Sequence, residues 1–396
     1  MNSINKIIVV YLASLIIGTC QSQSCYPGFD YRRAIEITSD ASNNAYTEFQ
    51  VAVDVPTAAL VAAGKAKYNG DDFRFKDALG NNLSYWFDPL DYDQLSTRFW
   101  VKVPTLPLGS TTIYMYYGNP SAAGVASGEA TFNLFDSFEA AGVDALKWNQ
   151  FGINTNISLS GGKCTFSQDL ANPEALLVSN ASYTDTLIVE MNTITASSGI
   201  AAMGLLDASN NDGFVSTYEN GFMLMQQVSG ATPAISTGNL LLISPLVTVT
   251  TISPLTPVGL WSFNWNLESN QSITFPAGAV NETRSDFTAS FVAPKKVIVG
   301  VQNGQDPPSS ISGSLQIDWI RARKYAVVEP VSVIGVEEEY PNSVNLVSTG
   351  PYCEGETFQI SADIFAGASY SWKENTTALS YTTESFTIPS VLVANQ

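Results

Sequence analysis

The sequence predicts an all-β chain built as tandem β-sandwiches, and three observations lead there. Polar and apolar residues alternate with a period of two in nearly every informative segment, including "AIEIT", "FQVAVDV", "RFWVKVP", "TTIYMYY", "LIVEM", "VIVGV" and "LQIDWIRAR", as in strands with one buried face. Gly, Asn, Pro and Ser turn signals recur about every ten residues. Helical periodicity is almost absent. Its one candidate is "TAALVAAGKAKY", a short helix from Thr57 with that threonine as cap.

Taken in order, residues 1–24 have a positive start at Lys6, an apolar run from Ile7 to Gly18 and small or polar residues behind it, which predicts an export signal. No later run approaches the roughly 20 apolar residues of a membrane helix, so no membrane insertion is expected once the signal is removed. A first block, 25–128, closes in the small-residue stretch "PSAAGVASGEA". A second, 129–326, opens near "FNLFDSFEA" and closes at "LQIDWIRARKY". Residues 327–342, acidic and punctuated by proline, read as a linker. Residues 343–396 carry a cysteine, alternating strand residues and a buried-type Trp372, the front half of an immunoglobulin-like sandwich.

Composition removes several function classes. The chain has 36 acidic and 18 basic residues among 396, a net charge of -18, so phosphate backbones and anionic headgroups repel it and nucleic acid is not an expected partner. It contains no histidine, which eliminates histidine triads, histidine general bases and the commonest transition-metal ligand. Of four cysteines, Cys20, Cys25, Cys164 and Cys353, signal removal leaves three. A Cys25 to Cys164 bridge is open to an exported chain, but spacing does not assign it.

The densest charge lies in "NGDDFRFKDALGNNLSYWFD", residues 69 to 88. As a strand, "FRFK" puts Phe73 and Phe75 on one face and Arg74 and Lys76 on the other, and "DALGNN" is turn chemistry. The cluster is therefore expected to be strand and turn; a calcium site would require Asp71, Asp72 and Asp77 to converge. "RFWVKVP" and "TTIYMYY" set Trp100, Tyr114 and Tyr116 opposite their core faces. If those strands pair, the three rings form one ligand-binding platform for sugar stacking; the favoured alternative packs that face on another sheet or domain. "LLDASNNDGFVSTY" has the alternate oxygens of a calcium loop, but Asp212 and Tyr218 stand where glycine and glutamate belong, so a hairpin is expected.

In the first block, "YRRAIEIT", "GDDFRFKDALGNNLSYWF", "RFWVKVPTLPLGSTTIYMYYGNPSA" and "FDSFE" together resemble the prokaryotic surface module known as domain of unknown function 2341, over about Tyr26 to Glu139. The second block, ending "IDWIRARKYAVVEP", resembles the concanavalin A-like jelly roll, and the third the immunoglobulin- or PKD-like repeats of large bacterial adhesins. These resemblances imply an extracellular, multidomain, glycan-facing protein and no particular reaction. In carbohydrate-binding jelly rolls of this kind, pairing of first and last strands holds a structural calcium, which would fall here to Glu139, Asp136 and Asp318; a salt bridge from Asp318 to Arg321 or Arg323 is the alternative. The jelly-roll hydrolases carry a Glu-x-Asp-x-x-Glu run, which this chain lacks.

The expected function is therefore a non-catalytic, exported adhesin-type protein binding glycan or another cell-surface ligand. A polysaccharide hydrolase or lyase on the jelly roll is the alternative, and a purely structural stalk the third reading.

Overall fold

The structure is a computed structural model that describes residues 26, 28–152, 156–169, 174–196, 199–207, 221–229, 232–233, 258–265, 271–274, 282–284, 294–302, 313–339, 346–348, 358–362, 373–374, 377–378 and 385–388. The signal segment, Cys25 with its bridge, the loop after Asp207, Cys353 and Trp372 lie outside the described residues.

The first block contributes β1 (Tyr31–Ser39), β2 (Tyr46–Val55), α1 (Thr57–Ala62), β3 (Arg74–Asp77), β4 (Asn82–Leu83), β5 (Tyr85–Phe87), β6 (Thr97–Leu106) and β7 (Gly109–Tyr117). The second begins with the short helix α2 (Gly128–Thr131), then β8 (Leu134–Asp136), β9 (Trp148–Gly152), β10 (Ile157–Leu159), β11 (Cys164–Gln168), β12 (Glu174–Ser179) and β13 (Leu187–Ala196). It continues with β14 (Gly199–Asp207), β15 (Gly221–Ser229), β16 (Thr232–Pro233), β17 (Gly259–Trp265), β18 (Gln271–Thr274), β19 (Glu282–Arg284), β20 (Lys295–Gln302) and β21 (Gly313–Lys324). After these come β22 (Val331–Glu339) and, in the third block, β23 (Leu346–Ser348), β24 (Phe358–Ala362), β25 (Lys373–Glu374), β26 (Thr377–Ala378) and β27 (Ser385–Ile388).

The all-β class and the tandem sandwiches are as expected. The first sandwich faces a five-stranded sheet, ordered β22-β1-β7-β3-β4, against a three-stranded one, β2-β6-β5. Between them are buried the alternate residues that the period of two assigned inward: Phe73, Phe75, Phe99, Val101, Met115 and Tyr117. Fully burying side chains of this size is worth roughly 1.5–3 kcal/mol each. The second sandwich sets the sheet β10-β11-β21-β13-β17-β18-β19, with β8 added to β21, against β16-β15-β14-β20-β12-β9. Its core holds Phe166, Val189, Met191, Trp261, Val299 and Ile317. Cys164 is buried in the same core, where burial pushes its thiol up.

Two expectations change. Helix α1 forms, but Thr57 is its first residue rather than its cap; the hydroxyl accepts from Gln94 N at 3.2 Å and so ties the helix to the loop before β6. More consequential is the segment expected as an acidic linker. Over Val331–Glu339 it is an edge strand, β22, pairing antiparallel with β1 in a register that sets Tyr31 against Glu339. Its carboxylates find cations there: Glu337 accepts from Arg33, Lys65 and the Tyr117 hydroxyl, and Glu338 from Arg32. The first sandwich is thus completed by chain that follows the second.

Candidate functional site

The residues 69 to 88 resolve into structure. Asp72 is buried, and its carboxylate accepts from Lys67 N at 3.0 Å and Gly118 N at 2.9 Å. Asp77 closes its turn by accepting from Leu79 N and Asn81 N, at 2.9 and 2.8 Å, and these bonds, with that from the Asn81 side chain, outweigh desolvation to hold its carboxyl below the usual range. Asp71 faces Lys67 and Asn69. The three carboxylates serve different partners and do not converge.

The condition for an aromatic platform is not met, because β6 pairs with β2 and β5 while β7 pairs with β1 and β3, and for Trp100 the favoured alternative, packing on another domain, is what the structure has. The rings lie on different sheets. Tyr116 is 3% exposed beneath Tyr26 and Phe29, and Tyr114 lies under the Arg32 guanidinium. Trp100 is 5% exposed because its sheet packs on the second sandwich.

That junction is an aromatic box around a cation. Trp86 and Trp100 from the first sandwich meet Phe132, Phe135 and Trp319 from the second. Arg321 lies among them, 4.6 Å from the Trp319 ring centroid, 4.7 Å from Trp100 and 5.4 Å from Trp86, with Arg323 4.4 Å from Trp100. Both guanidiniums donate to the buried Glu190, at 2.8 and 3.2 Å. Burial pushes the Glu190 carboxyl up, but the two charges and their hydrogen bonds outweigh it and hold the group at about 2. Polar ties frame the box: Trp319 Nε1 donates to Asp88 at 2.8 Å, and Gln50 donates to Thr131 O and accepts from Lys324 N. Asn43 exchanges two bonds with Val328 and so holds the segment leading into β22 on the first sandwich.

The expected Asp318 to arginine bridge is therefore replaced by Glu190, and the reason is a bulge. Asn192 pairs with Trp319 and Thr193 with Ile317, so Asp318 has no cross-strand partner and the alternation slips by one. Asp318 is half-buried; burial and the neighbouring charges of Asp88 and Glu139 raise its carboxyl against the opposing effect of Lys163 and Asn192.

Beside the box opens a cleft of about 330 Å³, lined by Trp86, Glu129, Phe135, Asp136, Glu139 and Lys147 among others. β8 pairs with β21, as the sequence reading supposed, and sets Asp136 opposite Ile320. Asp136 accepts from Phe138 N at 2.9 Å and Trp148 Nε1 at 2.7 Å, and Lys147 Nζ lies 3.5 Å from it and 2.9 Å from Glu129. Phe138 has a φ of 54°, a conformation a bulky residue adopts only when held there. Glu139 lies against Gly162, where any Cβ would collide with its carboxylate. Glu139, Asp136 and Asp318 do not fit a calcium ion: Asp136 is spent on two N–H donors and faces an ammonium, and among the described residues no three acidic, histidine or cysteine side chains gather to hold a metal.

Sequence reasoning missed Glu190, Trp86 and Gln50 as junction residues. One signal was present: "YWF" in β5 is buried at all three positions, and a continuous apolar run marks a strand covered on both faces.

A search of curated proteins found no match. Among solved structures, the chain is similar to LamAcat from Zobellia galactanivorans, with 18% identity over 50% of this chain and 100% of that one and a TM-score of 0.34. It is similar to a beta-1,3-glucanase from Mycobacterium marinum, with 12% identity over 49% and 99% and a TM-score of 0.35. It is also similar to beta-agarase A in complex with oligoagarose, with 12% identity over 50% and 91% and a TM-score of 0.34. The family model described as Domain of unknown function (DUF2341) matches residues 69–151, starting later than the resemblance had suggested and running through the junction into the second sandwich.

Proposed function

We propose that this is an exported, non-catalytic surface protein whose first two sandwiches act as one rigid unit and take a neutral glycan in the cleft at their junction, in an adhesive role. The observation that carries the reading is the junction itself. Trp86 and Phe135 belong to the aromatic box and to the cleft wall, so packing of the sandwiches fixes the shape of the cleft. Its lining supplies carboxylates and an ammonium, the acceptors and donors that a polyol's hydroxyls require, while four carboxylates against one lysine disfavour an acidic polysaccharide. Export rests on the N-terminal apolar segment. The non-catalytic part rests on Glu190, which two arginines neutralise beneath the first sandwich. A glycan array on the full chain, followed by calorimetry, tests this. Binding should survive chelation of calcium and fall by about tenfold or more in Glu139→Gln or Lys147→Met; binding unaffected by both would refute the cleft.

A second reading, polysaccharide hydrolysis, is favoured by one observation. Asp318 is raised by burial and by the neighbouring carboxylates Asp88 and Glu139, the direction a general acid requires. Reducing-sugar release that Asp318→Asn abolishes would establish it.

A further inference from the structure

The loop cluster at one end of the first sandwich exposes large apolar side chains that the fold does not need. Tyr68 is 79% exposed, Leu90 72% and Leu95 89%, and no other aromatic ring among the described residues is exposed to this degree. They sit on two loops fastened together: the buried Tyr92, between the two leucines in sequence, donates its hydroxyl to Lys67 O at 2.7 Å, and its ring, with that of Phe87, packs on Gly70 so closely that a Cβ would collide with both.

The loop carrying the leucines is rigid. Asp88 accepts from Leu90 N at 3.0 Å while its other oxygen holds Trp319. Asp91 O accepts from the Thr97 hydroxyl, and Gln94 O from Ala58 N, both at 3.0 Å. Asp93 takes a φ of 60°, a conformation aspartate tolerates better than most residues. Folding has already ordered the loop backbone, so a partner meets only the rotamer cost of the exposed side chains on docking.

The free charge on the loop is acidic, and the exposed Arg98 that follows it is bonded to Asp54. Asp91 and Asp93 are exposed between the leucines, and the nearest lysine, Lys67, is turned back onto Ala122 O and Asp71.

We propose that Tyr68, Leu90 and Leu95, with Asp91 and Asp93, form a docking surface for a polypeptide that presents lysine or arginine around apolar side chains. Two aliphatic anchors favour a polypeptide over a sugar, because leucine has no flat π face on which a pyranose ring stacks. The carboxylates select a cationic rim, and the protein's net charge of -18 steers such a partner inward. This surface is separate from the junction cleft and its assignment does not depend on glycan binding.

The test uses the full chain and an alternating Lys-Leu peptide as probe, with Lys-Ser and Glu-Leu peptides as controls, read by fluorescence anisotropy at low and physiological salt. The Lys-Leu peptide should bind best and weaken with salt. Leu90→Ser with Leu95→Ser, which leaves the net charge unchanged, should weaken binding by about tenfold or more, and Asp93→Asn should reduce the salt dependence. Unchanged melting would show that both variants fold. Equal binding of Lys-Leu and Lys-Ser peptides, or no loss in the leucine variant, would mean attraction to net charge alone and overturn the proposal. So would a neutral oligosaccharide whose binding depends on Tyr68 but not on either leucine.

Discussion

At the scale of single residues, Glu190 shows how little a sequence says about a charge before its neighbours are known. It lies in "LIVEM", where the period of two correctly turns Val189 and Met191 inward, but nothing local announces that Arg321 and Arg323, over 130 positions away, meet it under two tryptophans. Removing one partner of a buried ion pair leaves the other charge uncompensated, so Glu190→Gln should cost about 3–5 kcal/mol in denaturant unfolding. Its pH dependence follows from the depressed carboxyl. The group falls from an ordinary 4.5 to about 2, so its contribution is complete above the unfolded value and lost as pH falls from about 4.5 through 2. At about 1.4 kcal/mol per unit this is on the order of 3 kcal/mol; a parent protein and a Glu190→Gln variant losing equal stability over that window would contradict it. Asp77 was legible by contrast, because its capping is local, with donors two and four residues on, whereas Asp72 was not, since one of its donors, Gly118 N, lies 46 positions away.

At the scale of elements, strand existence was readable and strand partnership was not. "VSVIGVEEE" alternates as a strand should, but its acidic end and the proline behind it read as a linker, since its pairing with β1 spans some 300 positions and no local pattern encodes it. The same gap undid the aromatic platform. The inward faces of β6 and β7 were assigned correctly, whereas their membership of different sheets depends on topology. The bulge at Asp318 was hidden for a third reason, because one unpaired residue leaves composition unchanged and reverses every face after it. β22 carries a prediction of its own. Glu337 binds Lys65, Tyr117 and Arg33, and these partners outweigh desolvation to hold its carboxyl below the usual range, so the strand's attachment should be present above the ordinary glutamate range and weaken as pH drops below it. In hydrogen exchange, Glu337→Ala should deprotect the β22 amides and only those β1 amides that point to β22, leaving the β1 amides paired with β7, and β13, unchanged; equal protection in both proteins would show that the backbone ladder alone holds the edge.

At the scale of the molecule, the two sandwiches share the aromatic box, the Glu190 cluster and the ties at Gln50 and Asp88, so they should open together. Amides in β6 and β13 are predicted to exchange with the same opening free energy, and Trp86→Ala with Trp319→Ala to separate them, with loss of aromatic packing on the order of 3–5 kcal/mol per site. Distinct opening energies in the parent protein would argue for two independent modules. The return of β22 has a mechanical side as well. Because Tyr31 pairs with Glu339, the chain enters and leaves this unit at neighbouring points. Tension along the chain bypasses both cores and falls on the end of one hydrogen-bonded ladder, which peels one pair at a time rather than shearing all at once. Under load, the unit would first pay out the length of β22 as slack, opening the first sandwich along one edge.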